Sequence, residues 1–163
     1  MPEKQEIAPP FDRHSRFARL RDYLASKAPP GKLPGRQHID PLEIPDLLPY
    51  LMLVDVIRAE GQPPRYQIRL VGTRVVAIQG ADATGKFVEE VLDKGPDIIA
   101  RYEDILATRQ PQYRRGQVAT QDRTHVSYQR VAFPLASDGE TVDMLIFVFA
   151  MDIPEEAGLR DHR

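Results

Sequence analysis

The sequence predicts one α+β domain in which five mostly antiparallel strands form a single sheet. Three observations support this. Two β-rich segments lie at residues 50–59 and 65–71, and three more follow residue 111. The segment between them, residues 72–109, has the period of helices. The 163 residues are also typical of one domain, which buries about 70% of the surface of its unfolded chain.

The first predicted element is an amphipathic helix. Residues 1–11 contain three prolines and no periodicity, which indicates a flexible tail. Asp12 is expected to cap the helix, and Pro29-Pro30-Gly31 to end it. Residues 12–32 are therefore assigned to this helix and its linker. Its apolar residues follow i, i+3, i+7 spacing: Phe17, Leu20 and Leu24.

A short helical turn and a hairpin follow. Asp40-Pro41-Leu42-Glu43 combines a capping Asp, a Pro at the first helical position and a Glu at the third. The two β-rich segments, residues 50–59 and 65–71, are joined by a short turn that contains Gly61. Adjacent strands with such a connection predict a hairpin.

The middle of the chain predicts three helices. Gly72 and Gly80 bound the first, and residues 87–92 form the second. Gly95-Pro96-Asp97 begins the longest, and Gln110-Pro111 stops it.

The last third predicts three strands. Residues 112–120 and 125–135 form two of them, and Asp138-Gly139 makes a hairpin turn to the third. The run from Met144 to Met151 has no polar side chain, so both of its faces should be buried. Because the middle helices cover one face, we predict that the N-terminal helix packs on the other or joins a dimer interface there.

This order of elements resembles the PAS arrangement. The stretch Gly80-x-Asp82-x-Thr84-Gly85-Lys86 is similar to the G-x-D-x-T-G-K stretch common in PAS domains. Further strings resemble an uncharacterised alphaproteobacterial single-domain PAS subfamily: Leu33-Pro34-x-Arg36, Asp40-Pro41, Ile44-Pro45, Leu48-Pro49, Arg69-Leu70-Val71-Gly72-Thr73, Pro134-Leu135 and Asp138-Gly139. Residues 33–153 are therefore assigned to a PAS-like domain, and residues 154–163 to a C-terminal tail.

The resemblance implies a sensory or protein-interaction fold, often dimeric, with a pocket between the sheet and its helices. The chain departs from the best-known cofactor-binding members. It has no cysteine for a LOV-type flavin adduct or a thiol-linked chromophore, and no tryptophan. Residues 96–109 lack the histidine that haem-binding members use. The cofactor therefore stays unassigned, with these groups disfavoured.

Apolar and aromatic residues of the sheet and helices are expected to form the core, which in this fold overlaps with the pocket wall. These pocket candidates are Tyr66, Ile68, Ile78, Val88, Ile98, Tyr102, Tyr128 and Phe147. Arg69 and Arg130 each interrupt an apolar strand. Either arginine could point outward, its stem covering apolar surface. If one points inward, it would be a partner for a carboxylate ligand.

Catalysis and metal binding are not expected. The four histidines lie in separate segments without metal-ligand spacing, and no nucleophile motif is present. A net charge of −2 argues against a nucleic-acid surface. The longest apolar run has eight residues, whereas a bilayer span needs ~20. We therefore expect a cytoplasmic protein that binds neither nucleic acid nor membrane.

The sequence thus predicts a non-catalytic PAS-type sensor or adaptor that binds a small molecule and contacts an unidentified signalling protein. A homodimer is also expected, with Phe17, Leu20 and Leu24 as candidate contacts. The alternative is a pure interaction module, acting in dimerisation, whose pocket is filled by its own side chains. A small enzyme is the least favoured class.

Overall fold

The computed structural model describes residues 11–91, 95–119 and 125–152. The predicted tails lie outside these residues, apart from Phe11. The helices are α1 Ser15–Lys27, α2 Thr73–Gln79, α3 Val88–Val91 and α4 Gly95–Thr108. The strands are β1 Leu51–Ile57, β2 Arg65–Val71, β3 Gln112–Ala119, β4 His125–Leu135 and β5 Met144–Asp152. None of the described helices is long and apolar enough to cross a membrane.

The described strands form one antiparallel sheet in the order β2-β1-β5-β4-β3. The predicted fold class, α+β with a five-stranded antiparallel sheet, is confirmed. The last strand of the chain, β5, lies in the middle of the sheet between β1 and β4. This position explains why β5 is apolar on both faces, since each face of a central strand is covered.

Two cores lie on the opposite faces of the sheet. Phe147 and Leu145 of β5 belong to the inner core, which the sheet shares with α2, α3 and α4. Ile146 and Val148 belong to the outer core, which the sheet shares with α1. The alternation follows from the two-residue period of a strand. Packing of the N-terminal helix on the outer face, the first of the two predicted arrangements, is confirmed.

The start of α1 differs from the prediction. Nδ1 of His14 accepts a hydrogen bond from the Arg16 backbone N–H at 3.1 Å, and His14 has extended backbone angles. Asp12 lies instead in a short 3₁₀ helix of one turn, Phe11–Arg13. The predicted Asp12 cap is therefore wrong, because the chain makes this extra turn before the helix begins.

Polar contacts connect the linker between α1 and β1, residues 28–50, to α1. As predicted, Asp40 caps the turn Pro41–Glu43, where its carboxylate accepts from the Leu42 N–H at 3.0 Å. The Tyr23 hydroxyl donates to Glu43 at 2.9 Å and accepts from the Asp40 N–H at 2.9 Å. Lys27 pairs with the same Glu43 carboxylate at 2.8 Å. These contacts hold α1 against the outer face.

Candidate ligand-binding site on the inner face of the sheet

Three aromatic rings form the centre of the inner core. Tyr66 of β2 meets Tyr102 of α4 edge-on, with ring centroids 5.1 Å apart. Tyr102 contacts Phe147 of β5, with ring centroids 5.5 Å apart. All three side chains are buried. In this structure the chain's own rings therefore occupy the space between α4 and the middle of the sheet.

The Tyr66 hydroxyl is buried and has no hydrogen-bond partner among the described residues. Its side chain is fully buried, with 0% of its surface exposed. Burial raises the pKa of Tyr66 to about 12, and the negative charge of Glu103 adds to the rise. Buried hydroxyls are normally hydrogen-bonded, so this one marks a place where the inner core is polar but unsatisfied.

Arg130 of β4 is buried on the same face, with 4% of its surface exposed. Its guanidinium carbon lies 5.1 Å from the centre of the Phe147 ring. Nη1 donates a hydrogen bond to the Gln112 carbonyl oxygen at 3.3 Å. Burial lowers the pKa of Arg130 to about 10, because removing the guanidinium from water disfavours its charged form.

Two further arginines lie next to Arg130. Arg114 of β3 is its direct cross-strand partner. Arg101 of α4 is close enough, as is Arg114, for its charge to lower the pKa of Arg130. Both neighbours are half-buried. We call Arg101, Arg114 and Arg130 the arginine cluster. No ion pair among residues 11–91, 95–119 and 125–152 includes any member of it.

Gln112 lies beside the arginine cluster at the start of β3. Its Nε2 donates to the Arg101 carbonyl oxygen at 3.3 Å. Its Oε1 is buried and has no partner among the described residues. Gln112, Arg101 and Arg114 are not among the pocket residues that the sequence predicts. Strand alternation alone could have placed Gln112 and Arg114 on one face, but their approach to Arg130 depends on the pairing of β3 with β4.

The structure gathers most of the predicted pocket residues on the inner face. Tyr66, Ile68, Ile78, Val88, Ile98, Tyr102 and Phe147 are buried in the inner core, and half-buried Tyr128 packs against it. Arg130 is buried beside them. Whether they contact a ligand stays a prediction.

Arg69 does not belong to this group. Val54 pairs with Ile68 and Leu53 with Leu70, so Arg69 is the extra residue of a β-bulge between them. Its exposed side chain forms an ion pair with Asp55 at 3.0 Å. Arg69 therefore takes the outward of its two predicted orientations and is corrected as a pocket candidate. Its neighbour Ile68 faces the inner core, and successive residues of a strand point to opposite faces.

The three candidate dimer contacts of α1 lie inside the chain, and their role in a dimer stays a prediction. Phe17, Leu20 and Leu24 are buried in the outer core, against the chain's own sheet. Their apolar surface is already covered within one chain, so a second subunit has no access to it while α1 stays in place.

The glycine-containing stretch 80–86 forms a turn along β2. The Asp82 carboxylate accepts hydrogen bonds from the N–H of Thr84 at 3.0 Å and from its hydroxyl at 2.6 Å. Gly85 has a φ of +90° and donates to the Ile68 carbonyl oxygen at 2.7 Å. These bonds hold the stretch beside the sheet, and the glycines supply backbone angles that other residues rarely adopt.

A surface pocket of about 270 Å³ lies between the linker after α1 and the end of α4. It is lined by Gly31, Lys32, Leu33, Thr108, Arg109 and Gln110. In the part of the chain that the structure describes, no group of three or more His, Asp or Glu side chains could hold a metal ion.

The described part of the chain is thus an α+β domain with a central antiparallel sheet, α2, α3 and α4 on its inner face and α1 on its outer face. The sequence model described as "PAS domain" matches residues 12–149. The chain belongs to the PAS domain family. The match begins at residue 12 and therefore includes α1. Domains of this family are generally non-enzymatic sensors.

The chain is similar to solved structures at low sequence identity. The Rhodobacter sphaeroides LOV protein is 14% identical, with a TM-score of 0.50 over 89% of this chain and 75% of that chain. The light state of Aureochrome1 LOV is 10% identical, with a TM-score of 0.49 over 72% and 91%. A PAS domain of an HTR-like protein from Haloarcula marismortui is 18% identical, with a TM-score of 0.43 over 61% and 80%. No curated protein sequence matches the chain.

Proposed function

We propose that this chain is a non-catalytic sensor or adaptor module that binds a small molecule on the inner face of its sheet and signals through protein contacts. One observation carries the proposal: the inner core buries polar groups that it does not satisfy, above all the Tyr66 hydroxyl. An unsatisfied buried polar group costs about 1–3 kcal/mol. A ligand that supplies the missing hydrogen bond would recover that free energy.

Strand β5 offers a physical route for the signal. Phe147 contacts Tyr102 on the inner face, and the next residue, Val148, belongs to the outer core beneath α1. A ligand that displaces the inner rings would shift β5, and the shift would reach α1 through the same backbone. The output is then a shift in the position of α1, which a signalling protein or a second copy of the chain would recognise.

The second candidate function is a pure interaction module. The ring contacts among Tyr66, Tyr102 and Phe147 favour it, because the chain's own side chains already occupy the centre of the inner core. The homodimer, the signalling partner, the cytoplasmic location and the alphaproteobacterial subfamily are part of either proposal. So is the expectation that the protein contacts neither nucleic acid nor membrane.

Native mass spectrometry of the purified protein tests the sensor proposal. We expect a retained small molecule, less of it in Tyr66→Phe, and an unchanged amount in Tyr23→Phe. The last variant is a matched control, since Tyr23 lies in the outer core and its hydroxyl is satisfied. Hydrogen exchange then reports whether the small-molecule fraction of a cell extract protects α4 and changes the protection of α1.

Two negative results together would support the interaction module instead. These are the absence of a bound mass in protein purified under native conditions and the absence of any change in amide protection with the extract. Loss of the bound molecule in both tyrosine variants would also count against an inner-face site, because it would indicate a general loss of folded structure.

A further inference from the structure

We propose that the arginine cluster binds an oxyanion, a carboxylate or phosphate group, where α4 meets the β3–β4 pair. The inference rests on the proposed function and specifies its ligand as an anion.

Two like charges of the arginine cluster face each other across neighbouring strands. Arg114 and Arg130 are directly opposite each other in the β3–β4 register. Like charges in this position destabilise a sheet. Arg130 is almost completely buried, so water screens its charge poorly. An anion between the two guanidinium groups would turn this repulsion into two attractive interactions.

The arginines of β2, unlike the arginine cluster, have acidic partners among the residues that the structure describes. Arg69 pairs with Asp55 at 3.0 Å, and Arg65 pairs with Glu89 at 2.9 Å. These two side chains are largely exposed, yet each has an acidic partner within the chain. The arginine cluster is more deeply buried, and no ion pair among the described residues includes it. Burial raises the pKa of the neighbouring Tyr102 above its usual value, so this phenol supplies no opposite charge near pH 7.

The hydrogen-bonding capacity of the site also suits an oxyanion. A guanidinium carries five N–H donors in a planar fork that matches carboxylate and phosphate oxygens. Among the described residues, that of Arg130 donates one hydrogen bond, to the Gln112 carbonyl oxygen. The buried Oε1 of Gln112 lacks a donor. A ligand hydroxyl next to the anionic group would supply it, so the chemistry favours a small hydroxy acid or a phosphate monoester that keeps a free hydroxyl.

The arginine cluster is accessible to a ligand from solvent. Arg101, Arg114, Gln112 and Tyr128 are each half-buried rather than enclosed. The anionic group of a ligand can therefore reach the cluster from the β3 edge of the sheet.

The test compares Arg114→Gln with Arg115→Gln. The two arginines are neighbours in β3 on opposite faces, and Arg115 is exposed. Thermal unfolding and amide chemical shifts are measured with inorganic phosphate, with malate, and with sodium chloride at equal ionic strength. The phosphate and malate arms distinguish the two sources of the oxyanion. Because an anion that binds the folded state stabilises it by mass action, the shift in unfolding temperature gives an affinity.

We expect at least one oxyanion to stabilise the protein beyond sodium chloride. Arg114→Gln should bind it roughly tenfold more weakly, as loss of a charged hydrogen bond predicts. In the absence of oxyanion, the same variant should be as stable as the unmodified protein or more stable, because a like-charge contact is removed. Arg115→Gln should leave both properties unchanged.

Three results would overturn the proposal: no stabilisation beyond sodium chloride by either anion, equal loss of binding in both variants, or a less stable Arg114→Gln protein in the absence of oxyanion. Arg130→Gln should abolish binding, and if it does not fold, Arg114→Gln decides alone. Each of these three results would overturn the oxyanion site without refuting the proposed sensor function. A retained neutral molecule in native mass spectrometry would preserve that function even if no oxyanion binds.

Discussion

Replacing Phe17 by alanine removes the aromatic ring that anchors α1 to the sheet. Phe17 is completely buried in the outer core, with 0% of its surface exposed. Its ring meets Tyr113 of β3 edge-on, with centroids 6.3 Å apart. Truncation of a buried phenylalanine costs about 3–5 kcal/mol, from lost burial and from the cavity left behind.

This cost is large compared with the stability of a domain, about 5–15 kcal/mol. One kcal/mol corresponds to roughly 2–4 °C for a chain of this size, so the unfolding temperature should fall by roughly 10 °C. The assay is urea unfolding followed by circular dichroism, with the midpoint and the slope both measured. Asp22→Ala is the control, because Asp22 is exposed on the same helix. It should change stability by less than about 0.5 kcal/mol.

A loss of less than about 1 kcal/mol in Phe17→Ala would refute this reasoning, since it lies far below the cost of truncating a buried ring. So would an unmodified protein whose α1 detaches in a separate transition at low urea. Either result would mean that α1 is a docked segment and not a part of the cooperative core.

Three further predictions concern single residues. Tyr66→Phe should raise stability by about 1–3 kcal/mol, since it removes an unsatisfied buried hydroxyl. The pKa of Tyr66 is about 12 in the folded state and 10.0 ordinarily. Its ionisation therefore leaves the free energy of unfolding unchanged below pH 10 and lowers it as pH rises towards 12, because the hydroxyl loses its proton first in the unfolded chain. Unfolding curves at several pH values should show a shallower loss in Tyr66→Phe, and identical slopes would contradict the assignment. Gly72→Ala should destabilise the protein by more than about 2 kcal/mol, because a Cβ there would lie 2.4 Å from the Pro49 carbonyl oxygen. A stability equal to that of the unmodified protein would show that the linker yields easily. Arg69→Met should cost less than about 1 kcal/mol by urea unfolding, as its ion pair with Asp55 is at the surface, and a larger loss would give that pair a structural role.

The local pattern of the sequence determined the elements well. The strand bounds 65–71 and 125–135 agree with the structure, because turn residues mark them on both sides. The apolar run of β5 required cover on both faces, and this correctly predicted α1 on the outer core. The capping residue of α1 was missed, since Asp12 and His14 both precede the helix and the extra 3₁₀ turn decides between them.

The candidate site was less predictable. Arg69 and Arg130 have similar neighbours in sequence, and each could have pointed in or out. In β2, Arg69 follows the inward-facing Ile68 and points to the surface, whereas in β4 Arg130 lies on the inner face with Ala132. Arg101 and Arg114 belong to the arginine cluster only because helix α4 and strand β3 bring them next to Arg130.

The sequence by itself determined the periodicities, the turns and the apolar content, because each depends on residues close together in the chain. The order of the strands, the face that each arginine occupies and the approach of Gln112 to the arginine cluster were decided by the tertiary structure. They depend on which strands pair and in which register, and a shift of one residue would exchange the two faces.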